Sequence, residues 1–163
     1  MLGGIGVRVG FAKGGGGFFH TRRVPYEYGV HEVERNLMLA KAAGWRYEGF
    51  RPAVFPDDRD REAVDSVLAG IDEFCVLAPG SVWPTKRWPL ESYKAIGPVF
   101  AGRGMTVVVS GGPGDEDICR QVAAGIPGSV DVCGGLTLRQ SAELYRRAKF
   151  LLTGDSAPPH LER

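Results

Sequence analysis

Few cysteines, no imbalance of charge and no long apolar run mark this sequence, and each absence removes a class of function. Three cysteines, at positions 75, 119 and 133 of 163 residues, have no metal-ligand spacing, and their odd number argues against a disulfide framework. Cys75 and Cys133 sit in strand-like runs and read as buried hydrophobes, so a reducing cytoplasm is the expected location. Lys and Arg number 20 against 19 Asp and Glu, and the net charge of +1 gives no general electrostatic case for nucleic acid or an anionic membrane. No stretch approaches the roughly 20 apolar residues of a membrane span, and the first residues lack the charged-then-apolar order of a secretory signal. His31-Glu32-Val33-Glu34-Arg35 lacks the second histidine of a zinc-protease helix and reads as a helix start. No Ser, His and Asp set has the setting of a nucleophile elbow, and Gly14 to Gly17 lack the strand-to-helix context of a dinucleotide fingerprint.

What is present is an alternation. Four short apolar runs, Cys75 to Ala78, Thr106 to Ser110, Val130 to Cys133 and Phe150 to Thr153, are separated by stretches with helical spacing, which predicts a parallel sheet. The first connecting helix is expected to begin at Pro89 and to face inward with Tyr93, Ile96 and Phe100, with Pro98 kinking or shortening it. The second spans about Asp115 to Ala124 and is stopped by Gly125. In the third, Thr137 and Gln140 make a capping box ahead of Leu138, Ser141, Ala142, Tyr145 and Ala148 on one face. Right-handed crossovers bring the strand ends and their loops to one edge, where a ligand is expected to bind.

Upstream lie a strand candidate at Val7 to Phe11 followed by the glycine turn, and a helix from about Glu32 to Ala43. A linker with two prolines spans Arg51 to Asp58, and a helix follows from Arg59 to Ala69 with Asp57 or Asp58 as its cap. The domain boundary is expected near Phe55 to Asp58, giving residues 1–56 and 57–163.

Three loops on the ligand edge carry chemistry. Pro79 to Pro89 offers Gly80 for close backbone approach, the hydroxyl of Ser81, and Lys86 and Arg87 between aromatic rings, a set suited to phosphate. A solvated Lys-Arg pair is the plain alternative for that loop alone. Ser110 to Asp117 combines glycines with Asp115 and Glu116, which suit sugar or ribose hydroxyls, or simply an acidic helix start. Gly154 lets the chain turn after the last strand, where Asp155, Ser156 and His160 crowd onto one helix start able to attract phosphate.

The runs PGSVWPTKRWP, SGGPGDED, GLTLRQSAELYRRAKFLLTGDSAPPHL and, upstream, TRRVPYE and HEVERN resemble the ADP-heptose:lipopolysaccharide heptosyltransferase family. The resemblance implies an α/β fold, a Rossmann-like parallel sheet with flanking helices. It would form an incomplete nucleotide-sugar-binding C-terminal lobe of the GT-B type, preceded by the tail of an N-terminal acceptor lobe. It makes Ser81 and Lys86 phosphate contacts with Arg87 adjacent, puts Asp115 or Glu116 near the nucleoside, and places Asp155, Ser156 and His160 around the diphosphate and heptose.

The activity so implied is metal-independent, inverting transfer of heptose from ADP-heptose to a lipopolysaccharide precursor at the inner face of the cytoplasmic membrane. The base would be a carboxylate of the N-terminal lobe. Nothing before Val7 matches the strand and glycine-rich loop that carry that carboxylate, and Pro159 departs from the family pattern. The chain therefore reads as an internal fragment or degenerate gene product, expected to bind donor without transferring heptose and to self-associate through an exposed sheet edge. The alternatives are a nucleotide-binding or interaction module without turnover, or another nucleotide-sugar enzyme such as an epimerase.

Overall fold

The computed structural model describes residues 4–14, 16–46 and 53–154. The chain divides into two compact units, residues 1–52 and 53–163.

In the first unit two strands, β1 (Val9–Phe11) and β2 (Arg22–Val24), pair in parallel, and helix α1 (Glu32–Ala42) packs on both. The glycine run leads into a 3₁₀ turn at Gly17–Phe19. β2 carries two arginines and lacks an apolar period, so it has no strand signature of its own; its pairing with β1 makes it a strand. α1 begins where the His-Glu-Val-Glu-Arg run was expected to start a helix, and His31 Nδ1 caps it by accepting from the Val33 N–H at 3.3 Å. Lys13 lies over the rings of Tyr26 and Tyr28, at 4.2 and 4.6 Å from their centroids.

The second unit holds a four-stranded parallel sheet in the order β5-β4-β3-β6, formed by β3 (Phe74–Ala78), β4 (Thr106–Val109), β5 (Val130–Asp131) and β6 (Leu151–Thr153). Its helices are α2 (Asp58–Val67), α3 (Leu90–Ala101), α4 (Glu116–Ala124) and α5 (Leu138–Arg147). Every residue of β3 is buried, as a strand covered on both faces requires.

Because side chains alternate along a strand, the sheet divides its apolar residues between two cores. Cys75, Leu77, Val107 and Val109 meet Tyr93, Cys119, Val122 and Ile126 on the α3 and α4 side. Phe74, Val76 and Val108 meet Val64, Leu144 and Tyr145 on the α2 and α5 side. Each fully buried valine or leucine contributes about 1.5–3 kcal/mol relative to exposure. The chain moves outward through α3 and α4 on one face, then returns through α5 on the other to place β6 beside β3. This reversal of strand order opens a crevice at the carboxyl ends of β3 and β6.

Local signals and structure agree closely at the caps. Thr137 and Gln140 form the expected capping box, and Asp57 caps α2 through a second box with Asp60. Pro98 does not shorten α3, which continues to Ala101 packed against β4 and α4. One strand expectation fails. Cys133 is not in a strand: β5 ends at Asp131, whose carboxylate accepts from the Cys133 N–H at 3.0 Å and turns the chain, leaving the thiol half-buried.

Candidate functional site

Two cavities open along the carboxyl edge of the sheet. The first, of about 310 Å³, is floored by Ala78, Ser110 and Tyr145 and walled by Gly80, Ser81, Val82, Gly111, Gly112, Pro113, Asp115, Leu136, Leu138 and Ser141. Its lining is mostly apolar, but its floor carries a buried hydrogen bond of 3.0 Å between the hydroxyls of Ser110 and Tyr145. Burial raises the Tyr145 phenol above its ordinary value, partly offset by that bond to Ser110.

Glycine is required in this wall for space. A Cβ on Gly80 would overlap the Asp115 carboxylate, and one on Gly111 would crowd Asp115, Cys119 and Cys133. Asp115 turns its carboxylate back to accept from the Gly112 N–H at 3.1 Å, so it braces the loop over the cavity and makes no side-chain cap on α4.

The second cavity, of about 450 Å³, lies between Thr85, Lys86, Arg87 and Trp88 on one side and Leu152, Thr153 and Gly154 on the other. Trp88 anchors this loop edge-on against Tyr93 of α3, with ring centroids 5.0 Å apart. Tyr93 is itself buried, its phenol pushed up to about 12 by desolvation, and donates to the Ala78 carbonyl at 3.4 Å. Gly154 was expected to serve a turn. The residues that would complete that turn lie outside the described ones; what the structure shows is close approach, since a Cβ on Gly154 would run into the Lys86 carbonyl.

Ser81 lines the first cavity and is tied to the wall of the second. Its hydroxyl accepts from the Trp83 N–H at 3.3 Å beside the first cavity, while its carbonyl accepts from Arg87 Nε at 2.8 Å beside the second.

The residues singled out from the sequence therefore separate. Ser81 and Asp115 line the first cavity, and Lys86 and Arg87 line the second. Glu116 lines neither: its carboxylate accepts from the Gly114 N–H at 2.8 Å and faces Gly134. Of the alternatives Asp115 and Glu116, only Asp115 meets the cavity. Asp155, Ser156 and His160 lie outside the described residues. Sequence reasoning missed the hydroxyl floor. Tyr145 was read as part of the apolar face of α5, and its hydroxyl, the one available signal, names no partner 35 positions away.

Beneath the first cavity, α5 is held by charge. Glu143 is buried and bonded by Arg146 at 2.8 Å and Arg147 at 2.7 Å, which together hold its carboxyl at about 2. Arg139 joins Asp57 at 3.1 Å and Asp60 at 3.0 Å, tying α5 to the start of α2.

The fold is similar to that of solved proteins. The glycosyl transferase family 9 protein from Veillonella parvula DSM 2008 superposes with a TM-score of 0.77 at 21% identity, covering 88% of this chain and 44% of that one. E. coli ADP-heptose lps heptosyltransferase II gives 0.77 at 19% identity, covering 97% and 53%. E. coli heptosyltransferase WaaC with ADP-2-deoxy-2-fluoro heptose gives 0.62 at 20% identity, covering 90% and 46%. The chain thus spans about half the length of these relatives, and its α/β architecture is that of GT-B glycosyltransferases. No curated protein matches the sequence. Residues 2–162 match the family described as glycosyltransferase family 9 (heptosyltransferase), and the chain belongs to that family of glycosyltransferases.

Proposed function

We propose that this chain binds the donor of a heptosyl transfer, ADP-heptose, and that the complete reaction delivers the heptose to a lipopolysaccharide inner-core precursor at the cytoplasmic face of a bacterial membrane. The observation that carries the reading is the pair of cavities on one sheet edge, linked by the Arg87–Ser81 hydrogen bond, one apolar and sized for a nucleoside, the other edged by two cations. The base stacks among Leu136, Leu138 and Val82, and Asp115 accepts from ribose hydroxyls. Lys86 and Arg87 neutralise the diphosphate, and stabilise the charge that develops on it as the glycosidic bond breaks, so no metal is invoked. Asp155, Ser156 and His160 complete the diphosphate and sugar contacts in this reading.

Transfer also needs a base for the acceptor hydroxyl. Among the described residues, Asp115 is the one carboxylate lining either cavity, and it is engaged by the loop backbone. That observation favours a second reading, nucleotide binding without turnover by this chain alone.

Calorimetry with ADP and UDP, with and without a chelator, tests the donor reading. ADP is expected to bind more tightly than UDP and to be indifferent to the chelator. Equal affinities, or binding lost on chelation, would remove it. Transfer from ADP-heptose to an acceptor lipid by the purified chain would overturn the second reading.

A further inference from the structure

Gly111 forms part of the first cavity's wall, and the space behind it is filled by sulfur. A Cβ built on Gly111 would lie 2.8 Å from the Cys119 sulfur and 2.8 Å from the Cys133 sulfur. The two sulfurs therefore stand no farther apart than twice that distance, and the two thiols are within reach of one hydrogen bond. They come from different elements: Cys119 is fully buried on α4, whereas Cys133 lies in the turn after β5 and is half-buried. Both are free thiols, and each contributes to the other's environment.

The turn that carries Cys133 is bonded directly to the cavity wall. The Gly134 N–H donates to the Gly111 carbonyl at 3.1 Å, and the Cys133 thiol donates to the Gly112 carbonyl at 3.7 Å. A thiol can make the second bond only while it keeps its hydrogen.

We propose that Cys119 and Cys133 are a reversible dithiol switch which, when oxidised by a hydroperoxide to a disulfide, loosens the Gly111–Gly112 wall and weakens ligand binding in the first cavity. Cys133, the thiol that solvent reaches, attacks the peroxide oxygen, giving a sulfenic acid and releasing an alcohol or water. The Cys119 sulfur then attacks the Cys133 sulfur, the S–S bond forms, the sulfenic oxygen leaves as water, and the two thiols have supplied the two electrons that reduce the peroxide. Burial raises both thiols above their ordinary value of 9.0, so the first step is slow and the pair answers sustained oxidation, not a catalytic cycle. Cys75 is fully buried in β3 on the same core, which makes it the internal control. The effect on nucleotide rests on reading the first cavity as a nucleotide site; the disulfide does not.

The test exposes the full chain to hydrogen peroxide, blocks residual thiols under denaturing conditions and maps the peptides by mass. A Cys119–Cys133 link is expected, reversed by dithiothreitol, retained in Cys75→Ala and lost in Cys133→Ser and in Cys119→Ala. ADP affinity of the oxidised chain is expected to fall about fivefold, the scale of one lost hydrogen bond, with Cys133→Ser insensitive to peroxide. A link through Cys75, or Cys133 oxidised to sulfinic acid with Cys119 still free, would overturn the proposal. A correct link with unchanged ADP affinity would overturn the coupling to the wall. Failure of the reduced chain to bind ADP while the link still forms would count against the donor reading and leave the disulfide standing.

Discussion

The two cavities on the sheet edge are neighbours built by opposite means. The first is made of buried groups: Ser110 and Tyr145 form its floor, Asp115 is folded back onto its own loop, and α5 beneath it is fastened by Glu143 and Arg139 to the rest of the unit. The second is edged by exposed side chains on a loop held at a few points, by Trp88 on Tyr93, by Arg87 on Ser81 and by the close packing of Lys86 on Gly154. Buried shape is therefore concentrated in the first cavity, and exposed charge in the second. A planar apolar group needs a preformed slot, whereas phosphate is satisfied by cations at a solvent-facing edge.

The difference can be broken by substitution. Tyr145→Ala should have the largest effect, removing the floor of the first cavity and about 3–5 kcal/mol of stability, which urea denaturation would measure. An unchanged midpoint would mean that the floor is not part of the core. Acid should attack the same side. Glu143 has its carboxyl lowered from 4.5 to about 2 by Arg146 and Arg147, so its contribution is fully present above pH 4.5 and is lost as pH falls toward 2. At about 1.4 kcal/mol per pKa unit this amounts to a few kcal/mol, and Glu143→Gln should flatten the acid limb of a stability-against-pH curve.

The cations of the second cavity should respond in binding more than in stability. Lys86→Ala is expected to weaken ADP binding by about 1.5–3 kcal/mol while leaving the denaturation midpoint where it was. If affinity does not change, the loop is a solvated Lys-Arg pair and nothing more. Gly154→Ala tests the join between loop and β6: overlap with the Lys86 carbonyl should cost about 1–3 kcal/mol and displace the cations, lowering ADP affinity as well. Stability retained with full affinity would show that the backbone approach is dispensable. The smallest effect is expected from Tyr145→Phe, which deletes one buried hydroxyl and leaves Ser110 short of a partner, at about 0.5–1.5 kcal/mol. A gain in stability there would show that the hydroxyl pair serves the ligand and not the fold.

What could be read from the sequence is what short-range physics decides. A threonine three residues before a glutamine closes a capping box from within one turn, and α5 begins where that pair says it should. The apolar runs at β3, β4 and β6 carry their burial in their composition, and the loops between them carry Gly80, Ser81, Lys86 and Asp115, the chemistry of the edge. β2 was not legible, because two of its three residues are arginines and only its neighbour makes it a strand.

Which loop residues share a cavity was decided by the tertiary structure. Ser81 and Lys86, five positions apart, line different cavities, whereas Ser110 and Tyr145, 35 positions apart, meet in one hydrogen bond. Asp115 and Glu116 are adjacent and chemically alike, yet one faces the cavity and the other faces Gly134. Helical and strand periods determine which side of its own element a residue occupies. The side chain it meets depends on sheet order and on the depth to which each helix packs, and both follow from burying the two cores together.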